Sequence, residues 1–394
     1  LSMKIHLISA ARPNFMKIAP LYHALSKEPW AEPLIVHTGQ HYDLNMSDVF
    51  FQDLGLPAPD LHLGVGSGSH AEQSGHVMMA YEKVLFENRP DLVIVVGDVN
   101  STMACTIAAV KISFKSTLSN LTSTDPAGVL NSADLDRPIV AHLEAGLRSF
   151  DRTMPEEINR LVTDTLADIL WTPSPDADDN LIREGVDRQK IQRVGNIMID
   201  SLEMLRSSIQ KESVYSDMGL HPGKYGLVTL HRPSNVDNPE IMTRLCQALL
   251  RISQRVPLVF PVHPRTRKRM ENLGLMSLLE KADNLIISEP INYIRFMNLT
   301  FNCRFALTDS GGLQEETTYL GIPCLTLRPN TERPVTIHKG TNRLCRLDNF
   351  EEHVDDLLSS KTSHDCKIDL WDGRTAARVV ASIKSYFKEP KRVP

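Results

Sequence analysis

Residues 309–316 read DSGGLQEE and stand between a short apolar run and a second, partly apolar segment. The run before Asp309 predicts a strand, and a helix is predicted to leave from Gly312. The first N–H groups of a helix have no partner within it and carry the positive end of its dipole, so they favour a bound anion. Gly311 and Gly312 would let a bulky anion approach the backbone. The stretch therefore predicts an anion site at a strand–helix junction.

The two glutamates of this stretch change the kind of ligand that is expected. Glu315 and Glu316 would repel a bare phosphate, because both side chains carry negative charge at neutral pH. One of them is therefore expected to accept hydrogen bonds from neutral hydroxyl groups. A ligand that carries both phosphate and sugar hydroxyls satisfies the pattern, and the stretch alone leaves open which glutamate meets the sugar.

Apolar segments with helical patterns between them recur along the chain, as in parallel α/β sheets. Ten segments predict strands. They are KIHLISA (4–10), LIVHTG (34–39), DLVIVVGD (91–98), PIVAHLEAG (138–146), DILWTPS (168–174), GLVTLH (226–231), PLVFPVH (257–263), NLIIS (284–288), RFALTDS (304–310) and PCLTL (323–327). The last five repeat the scheme of the first five, which predicts two α/β domains with a junction near residues 194–202. Residues 376–387 predict a final helix, and the polar residues 115–137 predict a long surface loop.

Charge and cysteine spacing argue against several classes of protein. A formal net charge of −5 gives no basic field that would favour nucleic acid. No apolar run approaches the roughly 18–20 residues that span a bilayer, so no membrane partner is expected. Six cysteines without CxxC spacing favour a reducing compartment, hence a cytoplasmic location, over a disulfide framework or a zinc site.

Polar side chains recur directly after the predicted strands. Ligands of open α/β sheets bind beyond the carboxyl ends of the strands, so these residues are candidates for a site. A single one is more often a helix cap or a packed side chain, but both halves show the pattern, which predicts a cleft between the domains. The candidates are Arg12, Lys17, Gln40, His41, Asp98, Glu144, Arg148, His231, Arg232, His263 and the DSGGLQEE stretch.

The types of these residues indicate the chemistry. Arg12 and Arg333 stand in predicted loops, and guanidinium groups match phosphate oxygens with two parallel hydrogen bonds. No P-loop is present and no GxGxxG follows the first strand, which argues against ATP hydrolysis and a dinucleotide cofactor. Asp98, Glu144 and residues 155–157 supply carboxylates without metal-ligand spacing. We therefore expect acid–base chemistry on a diphosphate ligand, with neither a metal nor a cofactor.

Nine segments, taken together, resemble the non-hydrolysing UDP-N-acetylglucosamine 2-epimerases. They follow the family order over nearly the whole chain, and HLEAGLRS, PEEINR and DSGGLQEE are the most specific. The segments are AARPNFMKIAPL, HTGQHYD, VVGDVNST, HLEAGLRSFDRTMPEEINR, VGNIMIDSL, TLHRPSNVD, PVHPRTRKR, TDSGGLQEE and LRPNTERP. The resemblance implies an α/β fold of GT-B architecture, with two Rossmann-like doubly wound domains facing across a cleft. The implied domains are residues 1–198 with the returning C-terminal helix 373–394, and a UDP-binding domain of residues 199–372.

The resemblance also implies roles for individual residues. The implied catalytic residues are Asp98, Glu144, Glu156 and His231. The implied UDP contacts are Arg12, Ser310, Gly311, Gly312, Glu316 and Arg333. In this scheme Ser310 and the glycine N–H groups take phosphate and Glu316 takes the ribose hydroxyls. Lys17, near the start of the first helix, is expected to join the substrate site.

The reaction implied is epimerisation at C2 of a UDP-linked 2-acetamido sugar. UDP leaves C1 as the C2 proton is removed, a proton returns on the other face, and UDP adds back. The implied substrate is UDP-GlcNAc, converted to UDP-ManNAc, or a modified analogue, and a homodimer is expected. HPRTRKR replaces the HLNP of many bacterial members, so the resemblance does not imply activation by a second substrate molecule. Three segments, HPRTRKR, SFDRTMPEEINR and TLHRPSN, are similar to those of a branch associated with modified sugars such as diacetamido-uronic acids.

Three other functions remain open. A GT-B glycosyltransferase would share the fold and the nucleotide site but would need an acceptor. A hydrolysing epimerase would release UDP and the free amino sugar. A UDP-sugar sensor would bind the same ligand without using its carboxylates.

Overall fold

The computed structural model describes residues 2–39, 51–114, 136–359 and 366–388, apart from the side chains of Arg12 and Lys388. The chain divides into two compact units, Leu1–Ser201 with Asp369–Pro394, and Leu202–Ile368. The predicted loop at residues 115–137 lies outside the described residues except for its last two.

The first unit is built on a parallel sheet. Its described strands are β1 (Met3–Ser9), β2 (Ala31–His37), β3 (Leu61–His62), β4 (Leu92–Val96), β5 (Ile139–Leu143), β6 (Ile169–Thr172) and β7 (Ile191–Arg193). They run in the order β3-β2-β1-β4-β5-β6-β7, and each neighbouring pair is parallel. This is the strand order of a doubly wound Rossmann sheet, extended by one strand.

The second unit repeats this design. Its described strands are β8 (Gly226–Thr229), β9 (Leu258–Pro261), β10 (Leu285–Ser288), β11 (Phe305–Thr308), β12 (Cys324–Leu327) and β13 (Asn342–Cys345). They run in the order β10-β9-β8-β11-β12-β13, again with each neighbouring pair parallel. Each unit on its own is therefore Rossmann-like.

Helices connect successive strands in both units. The helices are α1 (Arg12–Leu25), α2 (His70–Asn88), α3 (Asn100–Lys111), α4 (Pro155–Leu166), α5 (Pro175–Arg183), α6 (Ile197–Lys211), α7 (Val214–Asp217), α8 (Pro233–Val236), α9 (Pro239–Ser253), α10 (Pro264–Asn272), α11 (Met276–Leu279), α12 (Tyr293–Asn302), α13 (Gly311–Leu320), α14 (Val335–His338), α15 (Phe350–Ser359) and α16 (Thr375–Lys388). Local sequence fixes several starts. Ser69 and Glu72 form a capping box before α2, and Asn238 caps α9.

The central strands are buried over most of their length, as expected for parallel strands covered on both faces. β4 and β5 are buried at every residue, and so are β11 and β12. Their apolar side chains join buried helix residues, such as Tyr81 and Leu85 in the first unit and Leu249 in the second. The cores therefore hold the strand ends, and the loops that follow them, in fixed positions.

The strand order reverses at one point in each sheet, between β1 and β4 and between β8 and β11. Ligands of doubly wound sheets bind at this point, beyond the carboxyl ends of the strands. The chain leaves β1 toward Arg12 and β4 toward Asp98; in the second unit it leaves β8 toward His231 and β11 toward Asp309. Topology therefore puts the predicted residues at the ligand-binding edge of their own unit.

The C-terminal helix α16 packs on the first unit and contacts α1. Asp200 caps it from a distant part of the chain, because its carboxylate accepts hydrogen bonds from the N–H groups of Thr375 (3.0 Å) and Ala376 (2.8 Å). Trp171 Nε1 donates to Ser382 Oγ at 2.8 Å, further along the same helix. Asp200 therefore satisfies two of the N–H groups that a helix start leaves without an intrahelical partner.

We predict that Asp200→Ala lowers the free energy of unfolding by about 1–2 kcal/mol, because two N–H groups at a buried helix start lose their acceptor. Urea unfolding measures the change. The control is Asp179→Ala, at an exposed position of α5 in the same unit, with an expected change within about 0.5 kcal/mol. Equal effects of the two substitutions would contradict the capping role.

Candidate functional site

A buried ion pair joins α1 to the loop after β5. Lys17 Nζ lies 2.5 Å from Glu144 Oε2, and the two side chains are 10% and 4% exposed. The second oxygen of the carboxylate, Glu144 Oε1, has no hydrogen-bond partner among the described residues. A buried carboxylate oxygen without a partner costs free energy. The geometry of Glu144 therefore suits a carboxylate whose Oε1 binds a ligand or accepts a proton.

The backbone around this pair is strained. Glu144 has φ of +73°, a left-handed conformation that non-glycine residues rarely adopt. Such strain persists where the surroundings hold it, and it is concentrated at functional sites. Gly97 faces the pair, and a Cβ at this residue would lie 2.8 Å from Lys17 Nζ. Glycine is therefore required here for the lysine to reach Glu144.

Asp98 lies at the end of β4 and is held by α4. Its carboxylate is paired with Arg160 Nη1 at 2.5 Å and is partly exposed, and its carbonyl accepts from Asn159 Nδ2 at 2.9 Å. Arg160 also donates to Glu157 at 2.7 Å, and Glu157 accepts from Ser149 N–H at 3.0 Å. Burial alone would raise the pKa of Glu157, but the hydrogen bonds from Ser149 and Arg160 outweigh it and lower that pKa. Glu157 is therefore an ionised anchor for Arg160.

The structure separates the two neighbouring glutamates of PEEINR. Glu156, the predicted catalytic residue, is exposed in the first turn of α4, whereas Glu157 is buried. Sequence reasoning counted Glu157 among the acids of residues 155–157 but missed Arg160 and its pairing with Glu157. Their i, i+3 spacing on one helix face was the available signal. The predicted role of Glu156 stays a prediction.

In the second unit, Asp309 ties two loops together. This fully buried carboxylate accepts hydrogen bonds from the N–H groups of His231 (3.1 Å) and Arg232 (2.9 Å) and from Asn235 Nδ2 (3.1 Å). Burial would raise the pKa of Asp309, but the hydrogen bonds and charge of its neighbours, above all His231, lower it. Asp309 is therefore a structural anion that fixes the ends of β8 and β11.

His231 is oriented by this anchor. Its Nδ1 lies 3.1 Å from Asp309 Oδ1, and its side chain remains 44% exposed. A proton on Nδ1 that faces the carboxylate leaves the other ring nitrogen available. The ring of His263 lies 6.3 Å away, centroid to centroid. Burial, with the positive charges of His231 and Arg265, lowers the pKa of His263.

The helix start predicted from DSGGLQEE is present, one residue earlier than expected. α13 begins at Gly311, and Ser310, at the N-cap, makes no side-chain cap. A Cβ at Gly311 would lie 2.8 Å from Glu332 Oε1 and 2.9 Å from Arg333 Nη1, whereas a Cβ at Gly312 would meet nothing within 4 Å. Gly311 is thus needed for close packing, and Gly312 leaves room beside the helix N-terminus.

Arg333 belongs to a buried cluster of charges beside this helix start. Arg333 Nε lies 2.8 Å from Glu315 Oε1, and Arg333 Nη1 lies 2.5 Å from Glu332 Oε1. Arg328 Nη2 lies 2.9 Å from Glu332 Oε2. Burial opposes ionisation of Glu332, but Arg333 and Arg328 hold its pKa well below the usual range. The arginine predicted to bind phosphate is therefore already paired with two carboxylates.

This pairing distinguishes the two glutamates that the sequence left open. Glu315 lies against Arg333, whereas Glu316 Oε1 accepts a hydrogen bond from the Tyr293 hydroxyl at 2.6 Å. Burial raises the pKa of Glu316 to about 7; the hydrogen bond from Tyr293 opposes this shift and the charge of Glu315 adds to it. Glu316 therefore already accepts from a hydroxyl, as a sugar-binding carboxylate would. Sequence reasoning missed Tyr293.

Other candidates are placed elsewhere or cannot be placed. Arg148 is buried and donates to Glu184 through two nitrogens, at 2.8 and 2.7 Å. The Arg12 side chain, Gln40 and His41 lie outside the described residues. Within the described ranges, no three His, Cys, Asp or Glu side chains converge as metal ligands. In the same part of the chain, no helix is long and apolar enough to cross a bilayer.

The model of the UDP-N-acetylglucosamine 2-epimerase family matches residues 23–115 and 122–384. The chain belongs to this family. The UDP-N-acetylglucosamine 2-epimerase of Methanocaldococcus jannaschii is 38% identical over 388 residues, 96% of this chain and 98% of that protein. The UDP-2,3-diacetamido-2,3-dideoxy-D-glucuronate 2-epimerase of Pseudomonas aeruginosa is 39% identical over 346 residues, 87% of this chain and 88% of that protein.

A solved structure agrees with the sequence relationship. The M. jannaschii UDP-GlcNAc 2-epimerase in complex with UDP-GlcNAc and UDP superposes with a TM-score of 0.83 at 36% identity, and the match covers 97% of this chain and 100% of that one. The predicted family is therefore confirmed, as are the α/β fold class with GT-B architecture and the prediction of an epimerase, an isomerase.

We predict that Lys17→Met destabilises this epimerase by about 3–5 kcal/mol, because it leaves Glu144 buried without its cation. The double variant Lys17→Met/Glu144→Gln should recover most of this loss, since replacing both members of a buried pair is often neutral. Urea unfolding of the single and double variants gives the coupling free energy. A double variant whose loss equals the sum of the single losses would contradict the pairing.

The same unit offers a control for this experiment. Lys384 Nζ lies 2.7 Å from Glu28 Oε2, but the two side chains are 35% and 24% exposed. Lys384→Met is expected to lower the free energy of unfolding by less than about 1 kcal/mol, because partly exposed pairs contribute little.

Proposed function

We propose that this epimerase inverts C2 of a UDP-linked 2-acetamido sugar, converting UDP-GlcNAc to UDP-ManNAc or acting on a modified analogue. One observation carries the proposal: a buried carboxylate, Glu144, has one oxygen on Lys17 and the other without a described partner, on strained backbone at the ligand edge of a Rossmann sheet. The relatives named above support the substrate class. They include an enzyme named for UDP-N-acetylglucosamine and one named for a diacetamido sugar acid. Both sugars belong to the class of 2-acetamido sugars, within which the proposal names UDP-GlcNAc or a modified analogue.

The reaction proceeds by elimination and re-addition. A carboxylate takes the C2 proton while the C1–O bond breaks and its electron pair leaves with UDP, giving a C1–C2 double bond. A second group then delivers a proton to C2 on the opposite face, and a UDP oxygen bonds to C1 again. One carboxylate cannot reach both faces of C2, so at least two acid–base groups are required.

The proton transfers fall to the first unit's carboxylates. We assign them to Glu144 and Asp98, because each is held in place by a cationic side chain, Lys17 and Arg160 respectively. Glu156, exposed in the first turn of α4, is the third proposed acid. His231, whose ring is oriented by Asp309 and half exposed, is the proposed histidine.

The nucleotide is assigned to the second unit. The N–H groups at the start of α13, with Ser310, Gly311 and Gly312, would bind phosphate oxygens through the positive end of the helix dipole. Arg333 would contact a phosphate oxygen at the same helix start, and Glu316 would accept from ribose hydroxyls. Arg12 and Lys17 complete the proposed substrate contacts.

We further propose a cytoplasmic homodimer that needs neither metal nor cofactor. The cysteines support a reducing location, because five of the six are buried free thiols. Arginine side chains and helix N–H groups can neutralise a diphosphate without a metal ion. The homodimer rests on the family resemblance alone.

Incubation with UDP-GlcNAc alone in D2O, followed by proton NMR, tests the proposal against its alternatives. Epimerisation with deuterium at C2 and no acceptor supports it. Release of free amino sugar and UDP would favour a hydrolysing epimerase instead. No change without an added acceptor would favour a glycosyltransferase, and binding without any turnover would favour a sensor.

We predict that Asp98→Asn and Glu144→Gln each lower C2 deuterium exchange by roughly 10²–10⁴-fold, the range of general acid–base catalysis. Both substitutions keep the shape of the side chain but remove the base. UDP affinity, measured by calorimetry, should stay nearly constant, because neither residue is assigned to the nucleotide. Exposed Glu87 on α2 provides the control Glu87→Gln. Wild-type exchange in both site variants would make the mechanism wrong even where UDP binds.

We predict that UDP affinity rises with pH through about 7 in the wild type. Burial raises the pKa of Glu316 to about 7, so below that pH the free protein holds a neutral carboxyl group. The ionised group, present above that pH, accepts more strongly from ribose hydroxyls. Each unit of pH below 7 should therefore weaken binding by up to about tenfold.

The variant Glu316→Gln isolates this effect. Ionisation of the UDP phosphate is common to both proteins, so the difference between their calorimetric pH profiles belongs to Glu316. Parallel profiles would remove Glu316 from the nucleotide site.

A further inference from the structure

A buried histidine that the proposed mechanism does not use contacts the chain next to both proposed carboxylates of the first unit, Glu144 and Asp98. His142, on β5, is fully buried. Its Nδ1 lies 2.5 Å from Asp164 Oδ1, and its Nε2 lies 2.8 Å from the carbonyl oxygen of Gly97. The Gly97 carbonyl can only accept, so Nε2 must carry a proton.

Asp164, which lies against Nδ1 of His142, has further contacts. Its second oxygen accepts from the N–H of Gly146 at 3.0 Å and lies 2.7 Å from Arg148 Nη1. Burial opposes ionisation of this carboxylate, but His142 and Arg148 outweigh it and lower its pKa. The ring of His142 is held at both nitrogens, by Asp164 at Nδ1 and by the Gly97 carbonyl at Nε2.

Asp164 grips the chain on both sides of Glu144. One of its oxygens holds His142, two residues before Glu144, and the other holds the N–H of Gly146, two residues after it. The residue between them has the strained φ of +73°. Strained backbone persists only where neighbouring contacts over-determine it. The contacts of Asp164 with His142 and with the N–H of Gly146 supply such a constraint.

His142 acts on the other carboxylate as well. It holds the Gly97 carbonyl, which belongs to the peptide directly before Asp98. The carbonyl of Asp98 itself accepts from Asn159, and its carboxylate pairs with Arg160. The two peptides on either side of Asp98 are therefore both fixed by side-chain donors, and His142 supplies one of them.

We propose that His142, held between Asp164 and the Gly97 carbonyl, is a positioning residue that sets both Glu144 and Asp98 for the proton transfers at C2. The inference rests on the proposed function. His142 does not touch the substrate in this scheme; it acts through the two carboxylates. A pair that served only stability would change the folded fraction but not the turnover of the folded molecules.

The protonation state can be measured directly in the wild type. Nitrogen-15 labelling of histidine, with assignment by loss of the signal in His142→Asn, reads both ring nitrogens by NMR. Nε2 should show the chemical shift of a protonated nitrogen at neutral pH, because it donates to the Gly97 carbonyl. An unprotonated Nε2 would overturn the proposal without reference to activity.

Two variants separate the two contacts. Asparagine keeps a donor near Nδ1, so His142→Asn retains the bond to Asp164 and loses the one to Gly97. Glutamine keeps a donor near Nε2, so His142→Gln does the reverse. Each is expected to lower kcat for C2 exchange about 10²-fold, the scale of a small misplacement of reacting groups. KM and UDP affinity should change less than about twofold, because the lost contacts act on the chemical step.

Combination with the catalytic variants tests the route. If His142→Asn acts through Asp98, it should lower exchange by less than about threefold when Asp98 is already Asn. The reason is that substitutions at residues that act together have non-additive effects. His142→Gln should behave in the same way in the Glu144→Gln background. Full multiplication of the losses in both pairs would overturn the positioning role.

His6 provides the matched control. It is a fully buried histidine on β1 of the same sheet and contacts the Tyr81 hydroxyl at 3.0 Å. His6→Asn should lower the melting temperature while kcat per folded molecule stays at the wild-type level. Equal kcat for the His6 and His142 variants, in a wild type that exchanges the C2 proton, would overturn the positioning role alone. Lack of exchange in the wild type would instead count against the proposed function.

Discussion

The buried pair of Lys17 and Glu144 constrains the chain at the ends of β4 and β5 in the first unit. Two charges taken out of water recover their desolvation cost only when the geometry is good and the remaining polar groups are engaged. Here the lysine reaches the carboxylate past Gly97, where a Cβ would lie 2.8 Å from Lys17 Nζ, and the carboxylate sits on left-handed backbone. The neighbouring donors at the ends of β4 and β5 hold this arrangement in place. A pair of this kind contributes little net stability, so its explanation lies in what the carboxylate does.

The second unit solves a related geometric problem with a single carboxylate. Where the strand order of a doubly wound sheet reverses, the connections after two adjacent strands run to opposite faces, and their ends separate. Asp309 bridges them by accepting from His231, Arg232 and Asn235. Asp164 has a comparable part in the first unit, where it joins His142 to Gly146. In both units a buried aspartate with several hydrogen-bond donors fixes the loops that carry the proposed functional groups.

Sequence patterns located the central elements of the fold and failed at its edges. The predicted strands all have apolar runs, because central parallel strands are buried on both faces. The sequence analysis did not predict β3, β7 and β13, because these strands are two to four residues long and only partly buried. The same limit applies to the site. Motifs locate Asp98 and Glu144 at strand ends, but no pattern along the chain shows which partner a side chain will meet from a distant element, such as Lys17 for Glu144.

Adjacent glutamates show how far burial decides the role of a carboxylate. Glu315 and Glu316 share one helix, yet the first lies against Arg333 while the second faces the Tyr293 hydroxyl and has its pKa raised to about 7 by burial. A carboxylate that lies against a guanidinium, as Glu315 does at 2.8 Å, is held in place by that contact. A carboxylate buried beside a neutral hydroxyl can change its charge when a ligand arrives. Identical residues one position apart therefore supply an anchor and a responsive group, and only the three-dimensional surroundings separate them.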